Sequence, residues 1–400
     1  ALEAGALAGA LLSGRAGSRS ASAEARANRP QVLTARKDAL AGRAPASVPA
    51  AEGRDGFVEV FEDLCTEFVR DLDAYGLGAV SGGPLRRMLQ YNVPGGKLNR
   101  GLTVVQAALA IRRAQGPLSL ADEKKLVREA AVLGWCVEWL QASFLVADDL
   151  MDSSVTRRGQ PCWYKNPDIG TIAVNDAIVL LTQVDILLHK YFGHDPELFL
   201  DLHRLLTETT YQTEMGQFLD LTTQPPQGPI NLDLYTEERY DLIVKYKTAF
   251  YSFYAPIALG MAVAGVRDTD SRRVAREICV KMGTYFQVQD DYLDCYASPE
   301  VLGKIGTDIQ DSKCSWLVVQ ALKRASPEQR NVLLQNYGKD DEACIAKVKE
   351  VFTALELEKA YFAYEDGVHA ELVRTIDRDV HTVPKEVFHG LLRKIYKRSK

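Results

Sequence analysis

Several signatures are missing from this 400-residue chain. It has no G-x-S-x-G nucleophile sequence and no G-x-x-x-x-G-K-[ST] phosphate loop, and its six histidines show no zinc spacing. Acyl-transfer hydrolases, P-loop nucleotidases and zinc enzymes are thereby set aside. The seven cysteines (65, 136, 162, 279, 295, 314, 344) are odd in number and nowhere form C-x-x-C. Reduced thiols in a cytosolic or matrix compartment are expected, not a disulfide framework. No run approaches 18 apolar residues, so no membrane span is expected, and a net charge of -5 argues against nucleic acid as a partner. Proline and glycine rarely interrupt the long stretches of 3.6-residue periodicity, which leave little room for strand alternation. Helices are expected at about 57–75, 102–114, 120–152, 172–192, 196–221, 236–264, 270–296, 315–324, 327–336, 340–376 and 384–397. Together they make an all-α chain with one large domain over 57–400.

What is present is an acidic pentad that occurs twice, Asp148-Asp149-Leu150-Met151-Asp152 and Asp290-Asp291-Tyr292-Leu293-Asp294. On a helix the first and last Asp of each pentad share a face, so two facing helices would present four converging carboxylates. Leu133, Val137, Leu140, Phe144 and Asp148 continue one helical stripe, so the acids line whatever those apolar side chains line. Turn formers follow both pentads, placing the anions near helix C-termini, where a cation relieves the conflict with the helix dipole. Hard divalent cations with oxygen ligands suit such a site, Mg2+ above all, shared with substrate phosphates. Gathered carboxylates repel, so removal of one is expected to leave the fold intact or firmer.

A cation cluster implies an anionic ligand, and basic residues suited to phosphate lie near. Arg157-Arg158-Gly159 follows the first pentad, and Gly95-Gly96-Lys97-Leu98-Asn99-Arg100-Gly101 is a basic turn at a helix start. Lys245-Tyr246-Lys247-Thr248, Gly303-Lys304 and Lys313 add further cations. Metal and diphosphate together are as far as spacing alone leads.

These segments, with LQASFLVADDLMDSSVTRRGQPCWY (140–164), KYKTAFYSFYAP (245–256), FQVQDDYLD (286–294) and GKIGTDIQDSKCSW (303–316), resemble the trans-prenyltransferases in content and order over residues 57–400. The resemblance is greatest to the eukaryotic branch that makes a fifteen-carbon product. It implies a helical bundle around a central cavity, the isoprenoid synthase fold, acting as a homodimer. It also implies Mg2+-dependent condensation of isopentenyl diphosphate with dimethylallyl and then geranyl diphosphate, with three metal ions per site and Mn2+ as a substitute. By the same resemblance, Asp148, Asp152 and Asp290 hold metal, with Asp149, Asp291 and Asp294 behind them. Arg157, Lys247, Lys304 and Lys313 take the allylic diphosphate, while Thr248 and Gln287 place oxygens near the cation. Lys97, Asn99, Arg100, Gln141 and Arg158 take isopentenyl diphosphate.

Phe144 lies one turn beneath Asp148 and is expected to floor the growing chain. Vertebrate-type relatives carry two adjacent aromatics there; Ser143 before Phe144 departs from that pattern and opens room for ethyl-branched homologues of the insect, lepidopteran type, or for a C20 product. A geranylgeranyl-forming enzyme is therefore an alternative. A terpene cyclase would lack the second pentad and the isopentenyl site, and a non-catalytic subunit would have lost carboxylates. Residues 1–56 form a separate extension. The first fifty hold seven basic and three acidic residues among Ala, Ser and Gly, which resembles a mitochondrial transit peptide, with a cytoplasmic enzyme as the alternative. The basic end Lys397-Arg398-Ser399-Lys400 resembles a tail that closes over the isopentenyl site.

Overall fold

A computed structural model of the chain describes residues 53–223, 230–298 and 306–397. The architecture is helical. In chain order the helices are α1 (Arg54–Asp71), α2 (Gly78–Asn92), α3 (Asn99–Gln115), α4 (Leu120–Met151), α5 (Ala173–Phe192), α6 (Pro196–Thr223), α7 (Glu237–Val244), α8 (Ala255–Val263), α9 (Thr269–Tyr296), α10 (Trp316–Arg324), α11 (Pro327–Asn336), α12 (Glu342–Ala354), α13 (Leu357–Asp379) and α14 (Lys385–Ile395). The one sheet among the described residues is a two-stranded hairpin, β1 (Thr156–Arg157) with β2 (Gln160–Pro161).

Helix α4 is the axis of the bundle. Its apolar residues run all the way round, so it is stable only when enclosed, and Trp135 and Trp139 stack among Phe57, Phe61 and Phe68 of α1 at its centre. Its N-terminus is set by Ser119, whose hydroxyl accepts the Asp122 N–H. By length and composition α4 and the segment Gly170–Phe192 are each apolar enough to cross a membrane, which the expectation of no such run did not foresee. For α4 the cause is burial among neighbouring helices, 83% of the apolar window being enclosed; for Gly170–Phe192 only 33% is. All seven cysteines are free.

Three departures from the sequence reading have physical causes. Helix α2 is not among the expected elements; burial of Met88 and Leu89 against α1 outweighs the poor propensity of Gly82, Gly83 and Pro84 within it. The stretch 340–376 is two helices, since Glu356 takes a left-handed φ of 52° between α12 and α13. The stretch 236–264 is continuous but not uniform. Between α7 and α8, residues Lys245–Tyr254 form a π-helix, with the Ala255 N–H bonded back to the Phe250 carbonyl. Pro256 has no N–H to offer the preceding turn and crowds its carbonyl, which a wider ladder relieves.

The π-helix is wedged between two glycines. A Cβ on Gly216 of α6 would lie 2.1 Å from the Lys247 backbone nitrogen, and one on Gly283 of α9 would lie 2.4 Å from the Ala249 Cβ. Bare backbone on both sides lets the three helices meet with no side chain between them.

Candidate active site

The first pentad closes α4. Asp152 caps the helix, its N–H bonded to the Asp148 carbonyl at 2.8 Å. Asp148 and Asp152 are half-buried, whereas Asp149 is buried and bonded through one oxygen to Arg157 Nε (3.0 Å) and Nη2 (2.5 Å). The second pentad divides in the same way. Asp290 is half-buried, and Asp291 is buried, accepting hydrogen bonds from the Tyr240 hydroxyl (2.8 Å), Gln287 Nε2 (2.9 Å) and the Trp316 N–H (2.7 Å). Burial pushes the Asp291 carboxyl up to about 7, against the pull of those donors.

Asp294 departs from the four-carboxylate convergence that helical spacing suggests, and lies behind the other acids as the resemblance implies. Its side chain is buried and accepts the Asp308 N–H at 3.0 Å, so it organises the loop ahead of α10 and does not complete a set of four. Nor do the pentads form a bare polyanionic cage: among the described residues no three His, Cys, Asp or Glu side chains gather closely enough to hold a metal ion by themselves. Ammonium groups stand between the acids instead. Lys247 Nζ lies 2.7 Å from Asp220 and 3.4 Å from Asp148, and Lys313 Nζ lies 2.8 Å from Asp152 and 3.4 Å from Asp220. Burial alone would raise the Asp148 carboxyl; the charges of Lys247, Lys313 and Arg157 outweigh it and hold it at about 2. Asp152 is raised by burial and by the charge of Asp148. Burial disfavours the Lys247 ammonium, yet Asp148 and Asp220 keep it charged well above its usual range.

Two participants were missed from sequence. Asp220 joins both lysines, and Gln217 donates to Asp148 Oδ1 at 2.9 Å. Both lie on α6 in Gly216-Gln217-Phe218-Leu219-Asp220, and the glycine that admits the π-helix is the only local signal.

The donor set still suits a hard cation. Half-buried carboxylates from both pentads offer oxygen only, and Mg2+ needs just one or two such ligands when phosphates and water supply the rest.

The π-helix presents the remaining groups. Thr248 Oγ1 donates to Gln287 Oε1 at 3.1 Å, and the other end of that amide is held by Asp291, so the Gln287 oxygen is oriented toward Thr248. One π-turn beyond Lys247, Ser252 Oγ accepts from Arg100 Nε at 3.0 Å, and Tyr251 lies 4.9 Å beneath the Arg100 guanidinium. Arg157 and Arg158, adjacent in sequence, part company because Arg158 and Gly159 both take positive φ (55° and 75°) in the tight turn of the hairpin. Arg157 turns to the first pentad, while Arg158 lies over Gly95 and Gly96 and reaches the Asn92 carbonyl at 3.4 Å. Lys97 and Asn99 are exposed at the entrance to α3. Phe144 packs edge-on to Tyr251 with centroids 5.9 Å apart, and Ser143 is buried, its hydroxyl bonded to the Leu140 carbonyl. Lys304 and Arg398 to Lys400 lie outside the described residues.

The site thus has two groups of cations along the π-helix, Lys247 with Lys313 among the acids, and Arg100, held by Tyr251 and Ser252, with Arg158 nearby. Residues 83–355 match the polyprenyl synthetase family model. Over 346 residues the chain is 48% identical to the farnesyl pyrophosphate synthase of Gallus gallus, covering 86% of this chain and 92% of that one. It is 45% identical over 350 residues to the farnesyl pyrophosphate synthase of Saccharomyces cerevisiae, covering 87% and 98%. The solved structure of T. brucei farnesyl diphosphate synthase complexed with risedronate superposes with a TM-score of 0.80 at 36% identity, covering 86% of this chain and 99% of that one. A doubled acidic motif at the ends of two helices, cations in two groups and likeness along nearly the whole length have one common source: the chain belongs to the polyprenyl synthetase family.

Proposed function

We propose that the protein is a farnesyl diphosphate synthase, joining isopentenyl diphosphate to dimethylallyl and then to geranyl diphosphate. The observation that carries this reading is the division of the cations, which provides for two diphosphates side by side. Asp148, Asp152 and Asp290 would hold Mg2+, with Mn2+ as a substitute and three ions per site, supplying Lewis-acid neutralisation of the leaving group when bound. Lys247, Lys313 and Arg157, together with Lys304, hold the allylic diphosphate as its C1–O bond breaks. The Thr248 and Gln287 oxygens face the allylic cation. Lys97, Asn99, Arg100 and Arg158, with Gln141 behind Arg100, hold isopentenyl diphosphate so that its double bond attacks C1, after which a proton leaves to the released pyrophosphate. The apolar stripe of α4 keeps water from the cation.

Labelled isopentenyl diphosphate incubated with each allylic diphosphate should yield mainly C15 product with Mg2+ and none in EDTA. Product formed without isopentenyl incorporation would indicate a cyclase, and no incorporation with any partner would overturn the reading.

Phe144→Ala should extend the product beyond C15. Relief of steric conflict for one or two added carbons is worth about 1 to 3 kcal/mol, roughly 10- to 200-fold in selectivity. Chain-length analysis reads this directly, and an unchanged C15 product would remove Phe144 from the floor. Room for ethyl-branched substrates at Ser143, and a C20 product as the alternative, rest on the same wall.

A homodimer is proposed through α5 and α6, which carry Val174, Ile178, Leu200, Met215 and Phe218 exposed to solvent. Light scattering should give twice the chain mass, and Ile178→Glu should lower it to one; a wild-type monomer would contradict this. Residues 57–400 are read as one catalytic domain. Residues 1–52 lie outside the described residues, and their basic, Ala-rich composition is proposed to direct import into mitochondria, with cytoplasmic residence as the alternative, which an import assay decides.

A further inference from the structure

Helix α4 buries one acidic side chain upstream of the pentad. Glu138 is 2% exposed, in a long apolar stretch of α4, and its position follows from a close crossing. α3 and α4 meet at Gly101 and Gly134, where a Cβ on either would lie within 2.9 Å of the other's carbonyl oxygen. One turn beyond Gly134, Glu138 therefore reaches the first turn of α3, and its Oε1 accepts the Gly101 N–H at 2.8 Å. Its second oxygen faces Gln141. In the amide orientation that satisfies both neighbours, Gln141 Nε2 donates to Glu138 Oε2 at 3.1 Å and Gln141 Oε1 accepts from Arg100 Nη1 at 2.8 Å. Arg100 is thus held on one side by Ser252 and Tyr251 of the π-helix and on the other by a relay that starts from a buried carboxylate.

We propose that Glu138 is a positioning residue for the isopentenyl diphosphate site: through Gln141 it sets the plane of the Arg100 guanidinium, and Gln141 is a relay more than a ligand of the diphosphate. This rests on the reading of Arg100 as an isopentenyl diphosphate cation. The carboxylate fixes the direction of the whole chain, because an acceptor at Glu138 requires the NH2 of Gln141 on that side and leaves its oxygen for Arg100. Glu138→Gln removes that constraint. Its amide oxygen can keep the Gly101 N–H, but its NH2 then faces Gln141, whose amide must turn over and present NH2 to a cation.

The test begins with wild-type enzyme assayed with isopentenyl and geranyl diphosphates. Without condensation there, the functional reading fails and the relay is not the cause. In active enzyme, Glu138→Gln should raise KM for isopentenyl diphosphate about tenfold, the worth of one hydrogen bond to a charged group, while KM for geranyl diphosphate stays within about twofold. Gln141→Leu, which leaves the Glu138 to Gly101 bond in place, should do the same and carries the test if Glu138→Gln does not fold. In an Arg100→Ala background either change should add less than about a factor of two, because both act through the missing guanidinium. An isopentenyl KM unmoved in the single variants would overturn the proposal. So would losses that multiply in the double variants, as a direct diphosphate ligand or a general packing defect requires.

Discussion

Asp148→Ala is expected to lower turnover by about three orders of magnitude or more, since it removes an oxygen ligand at the leaving diphosphate and leaves the charge developing there uncompensated. Its effect on the fold is the reverse of what repulsion among clustered acids implies. Asp148 lies between Lys247 and Arg157 and accepts from Gln217, and its carboxyl is held at about 2, below its ordinary 3.8, so the ionised side chain favours the folded state near neutral pH. Its loss leaves Lys247 with Asp220 alone and should reduce stability by roughly 1 to 3 kcal/mol. Thermal melts in EDTA and single-turnover rates with Mg2+ separate the two effects. Near-normal turnover would remove Asp148 from the metal site, and a raised melting temperature would restore the picture of repelling acids.

Gly216→Ala should damage the enzyme from outside the acidic motifs. The added methyl would meet the Lys247 nitrogen at 2.1 Å and the Tyr246 carbonyl carbon at 2.5 Å, both backbone atoms, so no side chain can turn aside. The π-helix cannot retreat either, because Ala249 already rests on Gly283 from the far side. Overpacking of this kind costs about 1 to 3 kcal/mol. A displacement of about 1 Å in Lys247 and Thr248 is enough for a roughly 100-fold fall in turnover. Gly367→Ala on α13, where nothing lies within 4 Å, serves as the control and should be neutral or slightly stabilising. Unchanged melting and turnover in Gly216→Ala would mean that the helices part easily and that their close approach does not position the lysine.

Much of the site was legible because the pentads and the helices that carry them obey local rules. The ends of α4 and α9, the half-buried state of Asp148, Asp152 and Asp290, and the burial of Asp149 and Asp291 behind them all follow from periodicity and resemblance. What stayed hidden depends on contacts between distant segments. Asp220 is one acid among many until Gly216 brings α6 against Lys247, and Glu138 is a charge in an apolar run until Gly101 comes within its reach. The change to π-geometry leaves no mark in hydrophobic spacing, and α2 holds against its own glycines and proline through packing alone. Helical spacing alone gives four converging acids; the hydrogen bond between the Asp294 carboxylate and a backbone N–H fourteen residues on makes them three, which only the resemblance anticipated.

The hairpin after the first pentad sorts two identical side chains by register. Arg157 sits opposite Gln160 in the last rung, whereas Arg158 stands in the turn, and that difference alone sends one guanidinium to the acids and the other over Gly95 and Gly96. Inserting or deleting one residue between 156 and 161 would shift the rung and reverse the faces, exchanging the partners of the two arginines without altering composition or charge. Over this six-residue stretch the length of the chain is therefore as constrained as its chemistry, and length variation among enzymes built this way should be absent there while being tolerated in longer connections.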